Sequence, residues 1–198
     1  MAGERRGKEE RETKETTVRV EVNLDGRGRA EVETGIGMLD HLLQQLSRHS
    51  LIDITVEAKG DLEVDPHHTA EDVAICLGRA LRKALGERKG IVRFGHAVVP
   101  LDEALALVSV DVSGRGYAST ELSWTGERVG ELPTELVSHL LWSIATEGRL
   151  TLHARTLAGA SDHHKAEAVF KALARALGEA VRRDPRLGSE VPSTKGQL

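Results

Sequence analysis

Residues 60–85, GDLEVDPHHTAEDVAICLGRALRKAL, and residues 161–181, SDHHKAEAVFKALARALGEAV, carry one pattern twice. In each, a His-His pair stands three and four residues before a glutamate and opens a long amphipathic run. Pro66 suits the first turn of a helix, which should run from about His67 and stop near Gly86. Ser161 or Asp162 can cap its counterpart. The segments just before these helices, residues 51–58 (LIDITVEA) and 150–157 (LTLHARTL), alternate as half-buried strands do. Before those, Met38, Leu39, Leu42, Leu43 and Leu46 share a helical face, as do Leu136, Val137, Leu140, Leu141 and Ile144 after Pro133-Thr134.

The remaining segments extend the parallel. Residues 17–24 alternate as a strand, Asp25-Gly26 signals a hairpin, and residues 29–33 read as the return strand. Residues 101–112 and 117–123 read as two strands separated by Gly114-Arg115-Gly116. The order strand, strand, helix, strand, helix therefore occurs twice. His41 and His139 are 98 positions apart, Leu51 and Leu150 are 99, and His67 and His163 are 96. Internal duplication is the economical explanation. The expected fold is α+β, an internally duplicated two-layer sandwich, each half a small mixed sheet with two helices packed on one face. One catalytic domain over residues 8–198 is expected, with halves at about 8–92 and 93–185 and a loop tail over 186–198.

Composition narrows the function. The 198 residues carry 39% hydrophobic and 29% charged side chains with a formal net charge of −4, ordinary values for a globular protein. Mild acidity and 3% aromatics argue against a nucleic-acid partner. No apolar run approaches a membrane span, and no signal peptide opens the sequence. With Cys76 alone, no intrachain disulfide can form, and the cytosol is the simplest address. Residues 1–14 are highly charged, and the first part of them is expected to be mobile.

Six of the nine histidines fall into the two groupings. Positions three or four apart share a helix face, the spacing by which helices chelate metals. Adjacent residues point about 100° apart, so His67 and His68 are suited to two ions rather than one. His41, His67, His68, Glu71, His139, His163, His164 and Glu167 divide evenly into two sites of three imidazoles and one carboxylate. Duplication predicts that each ion draws on both halves. Imidazole with carboxylate and no thiolate suits Mn, Fe or Zn rather than Ca. One HHxxE alone is a weak signal; two copies at duplicated positions are a strong one. His96 and His153 fall outside the pattern and read as structural or surface residues.

At this point the sequence resembles the imidazole glycerol phosphate dehydratase family. The likeness is carried by RETKET (11–16), NLDGRG (23–28), TGIGMLDHLLQQLSRH (34–49), GDLEVDPHHTAED (60–72), ALGERKGIVRFG (84–95), LDEAL (101–105), DVSGRGY (111–117), SDHHKAEAVFKALARAL (161–177) and VPSTKG (191–196). The resemblance implies a lyase of histidine biosynthesis that removes water from imidazole glycerol phosphate, two Mn2+ ions per active site, and an assembly of 24 subunits with sites at their interfaces. It implies that the eight residues above bind metal, that Glu15 transfers a proton, that Gln45 and His49 face substrate, and that Arg93, Arg115, Lys171, Ser193 and Lys195 hold its phosphate. Pro66, Gly116 and residues 160–162 depart from the family pattern without removing a ligand. Two rivals fit a His/Glu cluster: a two-metal phosphate-ester hydrolase and a metal-storage cage. The first usually needs bridging carboxylates, and the second leaves Glu15 and the basic tail unused.

Overall fold

The computed structural model describes residues 4–198. The first half contains β1 (Arg6–Glu12), β2 (Thr16–Asn23), β3 (Ala30–Glu33), α1 (Gly37–Ser50), β4 (Asp53–Gly60) and α2 (His67–Leu85). The second contains β5 (Phe94–Leu101), β6 (Ala104–Asp111), β7 (Tyr117–Glu121), the short β8 (Arg128–Val129) and β9 (Leu132–Pro133), α3 (Thr134–Gly148), β10 (Thr151–Ala158) and α4 (Asp162–Val181). The sheets run β1-β2-β4-β3 and β5-β6-β10-β7, the same order twice. In both, three antiparallel strands are followed by a parallel edge strand. The duplicated α+β sandwich expected from the sequence is present.

Period-two alternation sets the buried face. Val18, Val20, Val22, Ile54 and Val56 point inward from the first sheet, and Ala106, Val108, Val110, Leu152 and Ala154 from the second. Helices cover these faces. The helix-to-helix contacts run between halves, α1 against α4 and α2 against α3, so the halves are joined through their helices. Among the described residues no helix is long and apolar enough to cross a membrane.

Two expectations are corrected. Residues 29–33 do not return beside β2. Asp53 Oδ1 accepts the N–H groups of Arg27 at 2.8 Å and Arg29 at 2.9 Å, which pins the connection to the start of β4 and sends β3 along β4 instead. The place beside β2 belongs to β1, in the segment expected to be partly mobile; residues 1–3 of that segment lie outside the described residues. The stretch 101–112 is not one strand: it breaks at Asp102-Glu103, with Asp102 at φ 46°, into the β5–β6 hairpin.

Gly7 makes β1 possible. A Cβ there would lie 2.0 Å from the Ala80 carbonyl oxygen of α2, and one at Gly95 of β5 would lie 1.9 Å from that of Ala176 in α4. Only glycine lets these strands approach their helices so closely.

Candidate metal centre

The first turns of α2 and α4 present the two His-His-x-x-Glu motifs. At α4, His163 and Glu167 meet His41 of α1. At α2, His67 and Glu71 meet His139 of α3. Within each trio the three donor atoms lie within 4.8 Å of one another. His163 Nε2 is 2.7 Å and His41 Nε2 3.3 Å from Glu167 Oε1, and His139 Nε2 is 2.8 Å from Glu71 Oε1. The His67 and His139 rings are 5.3 Å apart. Because α1 packs on α4 and α2 on α3, each trio takes one histidine from one half and a His/Glu pair from the other.

His68 and His164 join neither trio, so each set holds two imidazoles and one carboxylate rather than three and one. The helical turn between neighbours explains this: each ring stands edge-on to its neighbour, His67–His68 at 87° and His163–His164 at 76°. Each meets a carboxylate of its own. His68 Nδ1 is 3.0 Å from Asp61 Oδ2, and His164 Nδ1 is 2.7 Å from Glu103 Oε2. These contacts favour the protonated rings and raise both pKa values. The Glu103 carboxyl is pulled down to about 2 by His164 first, then by the Ser161 N–H. Sequence reasoning passed over Asp61 and Glu103. Both stand in quoted blocks, GDLEVD and LDEAL, but no spacing rule ties a turn carboxylate to a distant helix.

Gln45 and Lys171 adjoin the α1/α4 trio. Gln45 Nε2 donates to Glu167 Oε2 at 2.7 Å, and Lys171 Nζ donates to the same oxygen at 2.9 Å. Burial works to raise the Glu167 pKa, but Lys171, Gln45 and His41 outweigh it and hold it at about 2. His49 lies one turn beyond Gln45, where burial, then Lys171 and Arg175, lower its pKa. Glu15, in the β1–β2 turn, has its carboxylate 3.9 Å from His68 Nδ1.

The remaining residues of the expected phosphate group gather elsewhere. Arg93 Nε donates to Asp111 Oδ1 and Nη1 to the Pro192 carbonyl, both at 2.8 Å. Gly114, beside Arg115, packs against Leu198, so the tail carrying Ser193 and Lys195 lies over Arg93 and the Arg115 turn. This cluster sits at the far end of α4, where the Arg93 N–H bonds the Ala180 carbonyl. At 1.5 Å rise per residue, Ala180 is about 20 Å along the helix from Glu167. Lys171 is therefore separated from Arg93, Arg115, Ser193 and Lys195 within the chain.

A duplicated sandwich whose halves jointly build two His/His/Glu trios is, by class, a protein with two candidate cation-binding groups. The model of the imidazoleglycerol-phosphate dehydratase family matches residues 34–177. A relative of that name from Chloroflexus aggregans is 57% identical over 198 residues, all of this chain and 97% of the relative. One from Roseiflexus sp. is 57% identical over 189 residues, 96% of this chain and 95% of the relative. The crystal structure of the Staphylococcus aureus dehydratase superposes with a TM-score of 0.82 at 35% identity, covering 90% of this chain and 99% of that one. That from Pyrococcus furiosus gives 0.82 at 37% identity, covering 96% and 100%. The chain belongs to the imidazoleglycerol-phosphate dehydratase family, whose enzymes are hydro-lyases of histidine biosynthesis.

Proposed function

We propose that this protein dehydrates imidazole glycerol phosphate to imidazole acetol phosphate, using two manganese ions per active site in a cytoplasmic assembly of 24 subunits. The observation that carries the reading is the pair of His/His/Glu trios, each built from both halves. Their donors fit such ions: two imidazole nitrogens and one carboxylate converge in each, with no thiolate, a set suited to Mn, Fe or Zn. In the α1/α4 trio the imidazoles are half-exposed, His41 at 47% and His163 at 51%, and in the α2/α3 trio His139 is 30% exposed, so neither trio is sealed from a substrate or from His68 or His164 of a neighbouring copy.

Bound there, the cations supply Lewis acidity toward the substrate's imidazole. The protein's own groups do the rest. Gln45, fixed between His41 and Glu167, orients the ring. Glu15 stands exposed beside His68, where it takes a C–H proton from the substrate's glycerol arm as the neighbouring hydroxyl departs. Arg93, Arg115, Ser193 and Lys195, with Lys171, hold the phosphate dianion, the arginines through planar paired donors. The separation of about 20 Å between the trio and the tail cluster along α4 supports a site completed between subunits. Exposed Trp142, stacked on His139, and exposed Val64 beside α2 add apolar surface near the α2/α3 trio.

The test is incubation of the manganese-loaded protein with imidazole glycerol phosphate and, separately, with a generic phosphate ester. The acetol should appear from the first and nothing from the second. Phosphate released from the ester, with no acetol, would replace this reading by a two-metal hydrolase.

A further inference from the structure

The duplication lets residues of the two halves be matched in space. Gly7 lies on Ala80 as Gly95 lies on Ala176, and Arg6 pairs with Asn23 as Phe94 pairs with Asp111. That register equates Glu15, in the β1–β2 turn, with Glu103, in the β5–β6 turn. Gly60 abuts Thr16 and Thr69 as Gly159 abuts Ala104 and Lys165, which equates Asp61 with Ala160.

The two turn glutamates are held differently. Glu103 is tied down on both oxygens: Oε2 meets His164 Nδ1 at 2.7 Å, and Oε1 accepts the N–H groups of Ser161 at 2.8 Å and Ala160 at 3.2 Å. Glu15 keeps its carboxylate 3.9 Å from His68 Nδ1, with the side chain 56% exposed. His68 instead meets Asp61 at 3.0 Å, and Asp61 is mostly buried. The second half has no such aspartate, because Ala160 stands in its place. Asp102 comes only within 4.0 Å of the other nitrogen of His164.

We propose that Asp61 and Glu103 are positioning residues that grip His68 and His164 by Nδ1 and so present Nε2 as the donor, and that Asp61, by occupying His68, leaves Glu15 free for substrate. The proposal rests on the metal reading above. A histidine whose Nδ1–H donates a hydrogen bond to a carboxylate is fixed in the tautomer whose Nε2 lone pair ligates. One carboxylate per histidine is needed for that. At Nδ1 the first half brings two, and the spare one is the exposed glutamate; the second half brings one there, and it is consumed, Asp102 lying toward Nε2 instead. An ordinary surface ion pair leaves both side chains loosely held, whereas Glu103 is held by three donors.

The test is the manganese affinity and content of the full assembly after dialysis, read with kcat and KM and with the thermal midpoint as a control for folding. Glu103→Ala should bind manganese about ten- to a hundred-fold more weakly, and Glu103→Gln, which keeps an acceptor, should lose less. Ala160→Asp added to Glu103→Ala should recover affinity, because it puts a carboxylate where the first half has Asp61. Asp61→Ala should let Glu15 close on His68, so kcat falls more than manganese affinity does, with KM near the wild-type value. Wild-type affinity in Glu103→Ala, or no recovery by Ala160→Asp in a folded variant, overturns the proposal. If His163→Ala loses an ion while Glu103→Ala behaves as wild type, this proposal alone fails. A wild-type protein that binds no manganese removes the metal reading itself.

Discussion

Lys165 is among the largest fully buried side chains, at 2% exposure, and it sits between His163 and Glu167 in sequence. Its ammonium pairs with Asp162 at 2.6 Å and donates to the Ser123 carbonyl at 2.8 Å. Asp162 in turn accepts the N–H groups of Thr125 and Gly126 and the Thr125 hydroxyl. Together they fasten the loop over residues 123–126 to the first turn of α4 and so fix where His163 emerges. Burial alone would raise the Asp162 pKa, but Lys165, Gly126 and Thr125 outweigh it and bring it to about 2. A carboxyl whose folded pKa lies below its unfolded value of about 3.9 stabilises fully above that value. The contribution is lost as pH falls toward 2. Asp162→Asn should therefore lower unfolding stability at pH 7 by about 1–3 kcal/mol, and the difference from wild type should shrink between pH 4 and pH 2. Denaturant unfolding at several pH values checks this; equal midpoints at pH 7 would contradict it.

At the scale of elements, helices were the most legible. Pro66 and Gly86 bracket α2 as the sequence indicated, and the Ser161 hydroxyl accepts the His164 N–H at 3.3 Å to cap α4. Strand partners were less legible. β1 buries only Gly7, its remaining positions being charged and at least partly exposed, so it has no apolar alternation to read. β3 and β7 look like strands, but their parallel pairing with β4 and β10 is set by distant contacts such as Asp53 to the 27–29 backbone. Of the site, the trio residues were legible because duplication repeats their spacing. Asp61 and Glu103 were not, because turn carboxylates gain meaning only once the protein has folded. The tail is an element with its own prediction. Subunits lacking residues 191–198 and His139→Ala subunits should each be poorly active, while assemblies mixed from both should recover turnover, since an intact trio and an intact tail can then meet across subunits. Absence of recovery would mean that the trio and tail of one subunit act together.

Over the whole molecule, the helix layers join two copies of one ancestral unit and place a donor from one copy against a pair from the other, twice. Neither half alone completes a trio, which ties the candidate metal groups to the docking of α1 on α4 and α2 on α3. The outer faces have diverged: Arg19 and Glu21 project from the first sheet, whereas Phe94 and Val98 stand exposed on the second. Duplication has thus been kept where the trios form and relaxed where the surfaces face elsewhere. The most direct measurement is elemental manganese per subunit in two double variants. His41→Ala with Glu167→Gln strikes both halves but only one trio, and should retain one ion of two. His41→Ala with His67→Ala strikes the first half alone but opens both trios, and should retain none. Equal manganese content in the two double variants would contradict sites shared between the halves.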